Sequence, residues 1–229
     1  MYYWQKLNWR KTLIIAHVAL LVMIMAIYQL TFTQRNMGPN SSNIVNFYLN
    51  GRLQFSSSDE FIYHSYLVSP VLAGSARHEN ILIIGGGDGL ALRDVLQWQP
   101  KKVTLVDLDA ELINLFKNPH EKLPFALANT IAELNAASLQ DQRVEIIAAD
   151  AFLAIDTLLQ GGQTFDAIIV DLPDPSHPDL NKLYSVNFYA RLKQLLAGDG
   201  LIGIQSASPY HAKNAFIAIG KTVQAAGYS

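Results

Sequence analysis

The apolar and polar positions divide the chain into three stretches with different periods. In the first, Thr12 to Ile27 (TLIIAHVALLVMIMAI), apolar residues run on with only His17 as a clearly polar ring and no charge. This is a candidate membrane helix, although it falls short of the roughly 20 residues needed to cross a bilayer unless Tyr28 to Phe32 continue it. A signal peptide competes for the same residues, with Lys6, Arg10 and Lys11 as its basic flank, but no A-x-A-like cleavage site follows. A buried or interfacial helix is the remaining alternative. The second stretch has period two. YQLTFTQ precedes a Gly/Pro/Asn/Ser loop at 34–43, and IVNFYLNGRLQF follows it with Asn50-Gly51 at the centre. Asn-Gly between alternating runs predicts a β-hairpin, so a small antiparallel sheet is expected within 28–56 and a small β-domain over 28–75. From Ile81 onward strands and helices alternate: ILIIG, LALRDVLQW, KVTLVDLD, AELINLFK, VEIIAAD, AFLAIDTLLQ, FDAIIVD, NFYARLKQLL, GLIGIQS and AKNAFIAIGKTVQAA. Five strands separated by helices predict an α/β domain over 76–229, built on a doubly wound parallel sheet.

In such a sheet the ligand lies beyond the C-terminal ends of the strands, near the point where the strand order reverses. The residues after each expected strand therefore outline the site. The first strand is followed by Gly85, Gly87, Asp88 and Gly89, the second by Asp107 and Asp109, the third by Asp150 and the fourth by Asp171 and Asp174. Any one of these aspartates is accounted for as a loop residue or helix N-cap, Asp150 before AFLAIDTLL above all. Their recurrence at four strand ends points to a positively charged ligand. A strand-to-helix turn presents N–H groups that favour anions, so Asp88 is an added negative charge in a place that ordinarily attracts one. The spacing Gly85-x-Gly87-x-Gly89 puts Leu90 where a dinucleotide-binding turn has its last glycine. It matches instead the Rossmann-like folds that bind S-adenosylmethionine or its relatives, in which an acid closing the next strand holds ribose hydroxyls.

Composition narrows the classes. Of 229 residues half are hydrophobic and 16% charged, so burying a large core is easy, and the net charge of −2 without a Lys/Arg cluster gives no reason to expect a nucleic-acid partner. Cysteine is absent, which excludes disulfides, cysteine nucleophiles and thiolate metal sites, and no metal is expected.

The segments IGGGDG, VTLVDLD, DAF and FDAIIVDLPDP, with YLNGRLQFSSSDEFIYHSYLVSP upstream, closely resemble the spermidine synthase family of polyamine aminopropyltransferases. The resemblance runs from about Tyr28 to the last residue. The apolar N-terminus and DLPDP…LNKLYSVNFY look most like the membrane-attached branch of that family. The resemblance implies transfer of the aminopropyl group of decarboxylated S-adenosylmethionine, a co-substrate, to a diamine, putrescine giving spermidine and methylthioadenosine, with no tightly bound cofactor. It implies that Asp171 is the general base, and that Tyr63, His64, Asp88, Asp174 and Gln54 bind the polyamine, with Gln205 nearby. Gln29, the glycines Gly85, Gly87 and Gly89, Asp107, Asp150, Ala151 and Pro178 are implied on the nucleoside side. Without the resemblance, Tyr63 and His64 read as polar residues flanking the hairpin.

The match departs at two places. Ser65 stands where the family commonly has glutamate, which leaves the acceptor amine open. The chain also stops at AAGYS, where the family continues into further strands that bring another tyrosine to the site. A fragment is therefore expected, folding as a Rossmann-like domain, binding methylthioadenosine weakly and turning over poorly. Two other classes stay open. Asp171-Leu172-Pro173 somewhat resembles the D-P-P-Y turn of some N-methyltransferases, and a non-catalytic membrane-tethered polyamine- or nucleoside-binding module is the third reading. A homodimer is left open. For orientation, Lys6, Arg10 and Lys11 outnumber Arg35 across the apolar segment and favour a catalytic domain outside the cytosol. A substrate made in the cytosol favours the opposite, and a membrane-attached domain facing the cytoplasm is the expectation.

Overall fold

The computed structural model describes residues 30–35, 44–175 and 178–229. The expected apolar helix at Thr12–Ile27 and the site candidate Gln29 lie outside the described residues. No helix among the described residues is long and apolar enough to cross a membrane. The chain forms two compact units, Met1–Phe61 and Ile62–Ser229.

The first unit holds β1 (Leu30–Arg35), β2 (Ile44–Leu49) and β3 (Arg52–Ser56), antiparallel in the order β1-β2-β3. Asn50 (φ 51°) and Gly51 (φ 75°) are both left-handed at the hairpin turn, the conformation that matches strand twist and selects Asn-Gly. Phe47 faces Phe32 on one side and Phe55 on the other in register. Their rings lie 4.9 Å and 5.5 Å from the Phe47 ring, a cross-strand aromatic row that fixes which face is apolar.

Most of helix α1 (Glu60–Gly74) belongs to the second unit. The chain continues through β4 (Asn80–Gly85), α2 (Leu90–Leu96), β5 (Lys102–Asp107), α3 (Ala110–Lys117), α4 (Pro119–Lys122) and α5 (Phe125–Leu134). A 3-10 turn (Ser138–Gln140) leads to β6 (Val144–Ala148), α6 (Ala151–Gln160) and β7 (Phe165–Asp171). A 3-10 segment (Pro178–Tyr184), α7 (Val186–Leu195), β8 (Leu196–Ile204) and α8 (Lys213–Ala225) complete it. The five strands are parallel in the order β6-β5-β4-β7-β8, so the order reverses between β4 and β7 and opens a crevice at their C-terminal ends.

Each strand alternates its side chains between two covered faces. Leu82, Ile84, Val106, Ile168 and Val170 pack with Ile155 and Leu158 of α6 and with Phe188, Leu192 and Leu195 of α7. Truncating one of these to alanine costs about 2–5 kcal/mol through lost contacts and the cavity left behind. On the other face lies α1, whose buried positions His64, Leu67, Val68, Val71 and Leu72 form a helical stripe. At Gly203 of β8 a Cβ would stand 2.7 Å from Val71 Cγ2 and 2.8 Å from the Leu67 carbonyl, so α1 rests on the sheet because that position has no side chain.

Candidate active site

The glycine turn is shaped by its neighbours. Gly85 has φ 83°, and a Cβ there would lie 2.0 Å from the Asp171 carbonyl oxygen, so only glycine lets the end of β4 meet the end of β7. The Gly87 N–H donates to Asp107 Oδ2 at 2.9 Å, and a side chain at 87 would occupy the space of that oxygen. Gly89 begins α2, and its carbonyl accepts from Ser138 Oγ at 2.7 Å. Buried Asn135 donates at 3.1 Å both to the Asp88 carbonyl and to that of Phe116. Asn135 and Ser138 brace the turn from behind and carry no signal in the sequence pattern. Gly86, also left-handed at φ 67°, faces Asp171 and was not singled out by the G-x-G-x-G spacing.

The four strand-end positions come together at the C-terminal edge with different partners. Asp88 is half-buried and its Oδ1 accepts the Leu90 N–H at 2.9 Å. Burial above all, with the Asp171 charge, pushes its carboxyl up to about 6 against the opposing pull of His64 and the Leu90 N–H. Asp107 accepts N–H groups on both oxygens, from Gly87 at 2.9 Å and Asp109 at 2.8 Å. Burial still raises its pKa, and the two N–H bonds oppose that. Asp150 caps α6 through the Phe152 N–H at 2.9 Å, as expected of an N-cap, and also pairs with Lys182. Ala151, the first residue of α6, is buried beside it.

Asp171 receives the Tyr63 hydroxyl on Oδ1 at 2.6 Å, and His64 Nε2 stands 3.8 Å from Oδ2. The placement of Tyr63 and His64 as residues flanking the hairpin is thereby corrected. They lie in the first turns of α1, their rings edge to face at 4.8 Å, with His64 3% exposed and Tyr63 41% exposed. Burial and the Asp171 carboxylate hold the Tyr63 phenol well above its usual range, so it remains a donor. Asp174 is exposed and accepts from Gln205 Nε2 at 2.6 Å. The Tyr184 hydroxyl donates to the Pro173 carbonyl at 2.7 Å. An open groove of about 640 Å³ runs past Tyr63, Tyr66, Asp174, Gln205, Ser206 and Phe216.

Pro178 opens the 3-10 segment and is exposed. Gln54 lies on β3 of the first unit, exposed, with its amide on the Arg52 carbonyl at 3.1 Å. Lys182 and Tyr184 are further site residues that sequence reasoning missed. Both stand inside the quoted LNKLYS segment, but nothing in its spacing marks them as contacts of Asp150 and Pro173.

Among solved structures, a spermidine synthase in complex with the transition-state analogue AdoDATO has the same fold, with a TM-score of 0.67 at 24% identity over 84% of this chain and 63% of that one. The spermidine synthase of Thermotoga maritima gives 0.64 at 23% identity, over 85% and 61%. By sequence, the chain is 56% identical over 200 residues to the polyamine aminopropyltransferase of Shewanella oneidensis, covering 87% of this chain and 35% of that protein. It is 45% identical over 186 residues to polyamine aminopropyltransferase 1 of Streptomyces coelicolor, covering 81% and 32%. The chain thus spans about a third of the length of the curated relatives it matches. Residues 60–228, from the first turn of α1 to the end of the sheet domain, match the model of the spermine/spermidine synthase domain, and the chain belongs to that family.

Proposed function

We propose that this chain carries the catalytic domain of a polyamine aminopropyltransferase, moving the aminopropyl group of decarboxylated S-adenosylmethionine to putrescine and releasing spermidine and methylthioadenosine. The observation that carries this reading is the carboxylate group at the ends of β4 and β7. Asp171 sits between Tyr63 and His64, with Asp88 across the turn and Asp174 beside the groove. The names of the relatives, polyamine aminopropyltransferases, support it.

The chemistry follows from charge. A protonated amine has no lone pair, so the acceptor nitrogen must first lose a proton, and Asp171 is the carboxylate placed to take it. The freed nitrogen attacks the aminopropyl carbon next to the sulfonium, the N–C bond forms, and the C–S bond breaks with its electron pair passing to sulfur. The sulfonium leaves as the neutral thioether of methylthioadenosine. Tyr63 donates to one Asp171 oxygen and fixes the carboxylate plane, while Asp88 and Asp174 hold ammonium groups. Much of the rate comes from holding nucleophile and carbon in line. On the nucleoside side, Asp107 keeps a lone pair on each oxygen for ribose hydroxyls, and Asp150 with Ala151 meets the adenine. Pro178, at the start of the 3-10 segment, belongs with that pocket.

The test is product analysis by mass spectrometry with putrescine and either decarboxylated or intact S-adenosylmethionine. Spermidine and methylthioadenosine in equal amounts, from the decarboxylated donor alone, are expected. A methylated amine from the intact donor would establish the methyltransferase alternative, and binding without any product would establish a binding module.

The uncharged segment Thr12–Ile27 further supports attachment to a membrane, with the catalytic domain on the cytoplasmic side where its substrate is made. Protease protection in sealed inverted vesicles tests this. A catalytic domain shielded from added protease contradicts it.

A further inference from the structure

Among the described residues, Asp150 is the strand-end aspartate matched by a lysine. Lys182 Nζ donates to Asp150 Oδ2, while Oδ1 takes the Phe152 N–H. Exposed ion pairs usually contribute little, because water screens them and two flexible side chains must be ordered. Here the lysine is half-exposed, but the backbone around it is anchored by its neighbours. Leu183, the next residue, is buried in the core against α6 and α7, and Leu180 and Tyr184 pack on the same cluster. Ser185 Oγ donates to the Lys182 carbonyl at 2.7 Å and accepts the Phe188 N–H at 3.1 Å as the cap of α7. Tyr184 is tied to Pro173. The fold therefore delivers Lys182 to Asp150, and only the side chain remains to be ordered. Burial acts to raise the Asp150 pKa, but the Lys182 bond and the Phe152 N–H outweigh it and hold the group below the usual carboxylate range.

We propose that Lys182 is a positioning residue for the nucleoside: it pins the Asp150 carboxylate in one orientation and cancels its charge, so that the oxygens accept from a neutral donor, such as a purine exocyclic amine, and not from an ammonium. This rests on the adenine-side role of Asp150 in the function proposed above. With Lys182 in place, the cationic end of the ligand is drawn to Asp88, Asp171 and Asp174, and the base end meets a carboxylate without net charge to offer. Without it, Asp150 keeps only its N-cap bond on Oδ1 and its Oδ2 becomes a second, misplaced site for a cation.

Calorimetry with methylthioadenosine on wild type, Lys182→Met, Lys182→Arg, Asp150→Asn and the Lys182→Met/Asp150→Asn pair tests this. Asparagine keeps the N-cap of α6 and serves as a control for the carboxylate. Lys182→Met should weaken methylthioadenosine about five- to tenfold, as expected for losing a charge-assisted contact that orients an acceptor. Lys182→Arg should stay within about twofold of wild type, since it restores the charge-assisted pair. In turnover, the loss should appear in the KM for decarboxylated S-adenosylmethionine and not in kcat. In the Asp150→Asn background Lys182→Met should have no further effect, because its route to the ligand is gone. Wild-type affinity in Lys182→Met, the same loss in both backgrounds, or a loss that Lys182→Arg does not restore would each overturn the proposal. If wild type itself binds neither methylthioadenosine nor the decarboxylated donor, the nucleoside reading falls, an outcome distinct from a wild type that binds and a Lys182→Met variant that binds equally well.

Discussion

The two ends of the crevice treat the same residue type in opposite ways. At the β5 and β6 side, Asp107 has both oxygens on main-chain N–H groups, and Asp150 has one N–H and a lysine. At the β4 and β7 side, Asp88 has a single N–H, Asp171 a phenol and Asp174 a side-chain amide. Phenol and amide are neutral donors. They orient a carboxylate without compensating its charge, and His64, 3.8 Å from Asp171, is the nearby group able to carry a positive one. Topologically equivalent aspartates thus differ in what balances them among the described residues: a lysine on Asp150 at one end, and one histidine beside three carboxylates at the other. A ligand that is neutral at its base and ribose and cationic at its far end fits that gradient.

The largest expected effect comes from removing the base at the charged end. Asp171→Asn should lower turnover by about 10²–10⁴-fold, the usual cost of losing a general base, with methylthioadenosine affinity within about twofold. A variant retaining more than half of wild-type turnover at neutral pH would mean that another group takes the proton. Next in size is donor choice. An intact donor carries a carboxylate that meets like charge near Asp88, worth a few kcal/mol, roughly, when poorly screened. Decarboxylated S-adenosylmethionine should therefore bind at least about tenfold more tightly than the intact form, and equal affinities would remove the contrast between the two ends.

The third effect is on pH. Because Asp88 in the folded protein takes up its proton near pH 6, affinity for the cationic donor should fall as pH drops through about 6. Methylthioadenosine, which lacks the aminopropyl ammonium, should bind with little change over the same range; a parallel fall for both ligands would assign the titration to another group. The smallest effect concerns stability. The Asp88 pKa is raised from 3.8 to about 6, so between those values the folded state binds more protons than the unfolded one. Stability from this group is therefore greatest below about pH 4, declines as pH rises to about 6 and is flat above. Asp88→Asn should accordingly stabilise the protein at pH 8, by roughly 1–3 kcal/mol, and flatten that decline in thermal melts. A destabilised variant at pH 8 would show that the charge is compensated after all.

Much of this arrangement was legible from period and punctuation. Asn50-Gly51 announced the hairpin because few residues tolerate two left-handed positions, and the apolar runs ending in Asp107 and Asp171 announced buried parallel strands with acids at one edge. Helix α1 was not legible. Its buried stripe from His64 to Leu72 is regular, but the exposed side also carries Phe61, Ile62 and Tyr66, and Pro70 interrupts the run, so no clear amphipathic period emerges. With the helix unrecognised, nothing linked Tyr63 and His64 to Asp171 except a resemblance. Helices α4 and α5 lie where the apolar pattern predicts no element, and the bracing of the turn by Asn135 and Ser138 is hidden with them. Contacts of that kind join residues far apart in the chain, and no local pattern encodes them. Lys182 is the same case, since a lysine beside a tyrosine reads as surface until the core position of Leu183 orients the segment.

The difference between the two ends is measured most directly by side-by-side calorimetry of decarboxylated S-adenosylmethionine and methylthioadenosine on wild type and Asp88→Asn at pH 8. The two ligands share the nucleoside and differ in the charged arm. Wild type should favour the cationic donor, and Asp88→Asn should lose most of that preference while holding methylthioadenosine as before. If Asp88→Asn instead weakens both ligands equally, or leaves the preference intact, the excess charge at the β4 and β7 end is not what recognises the cation.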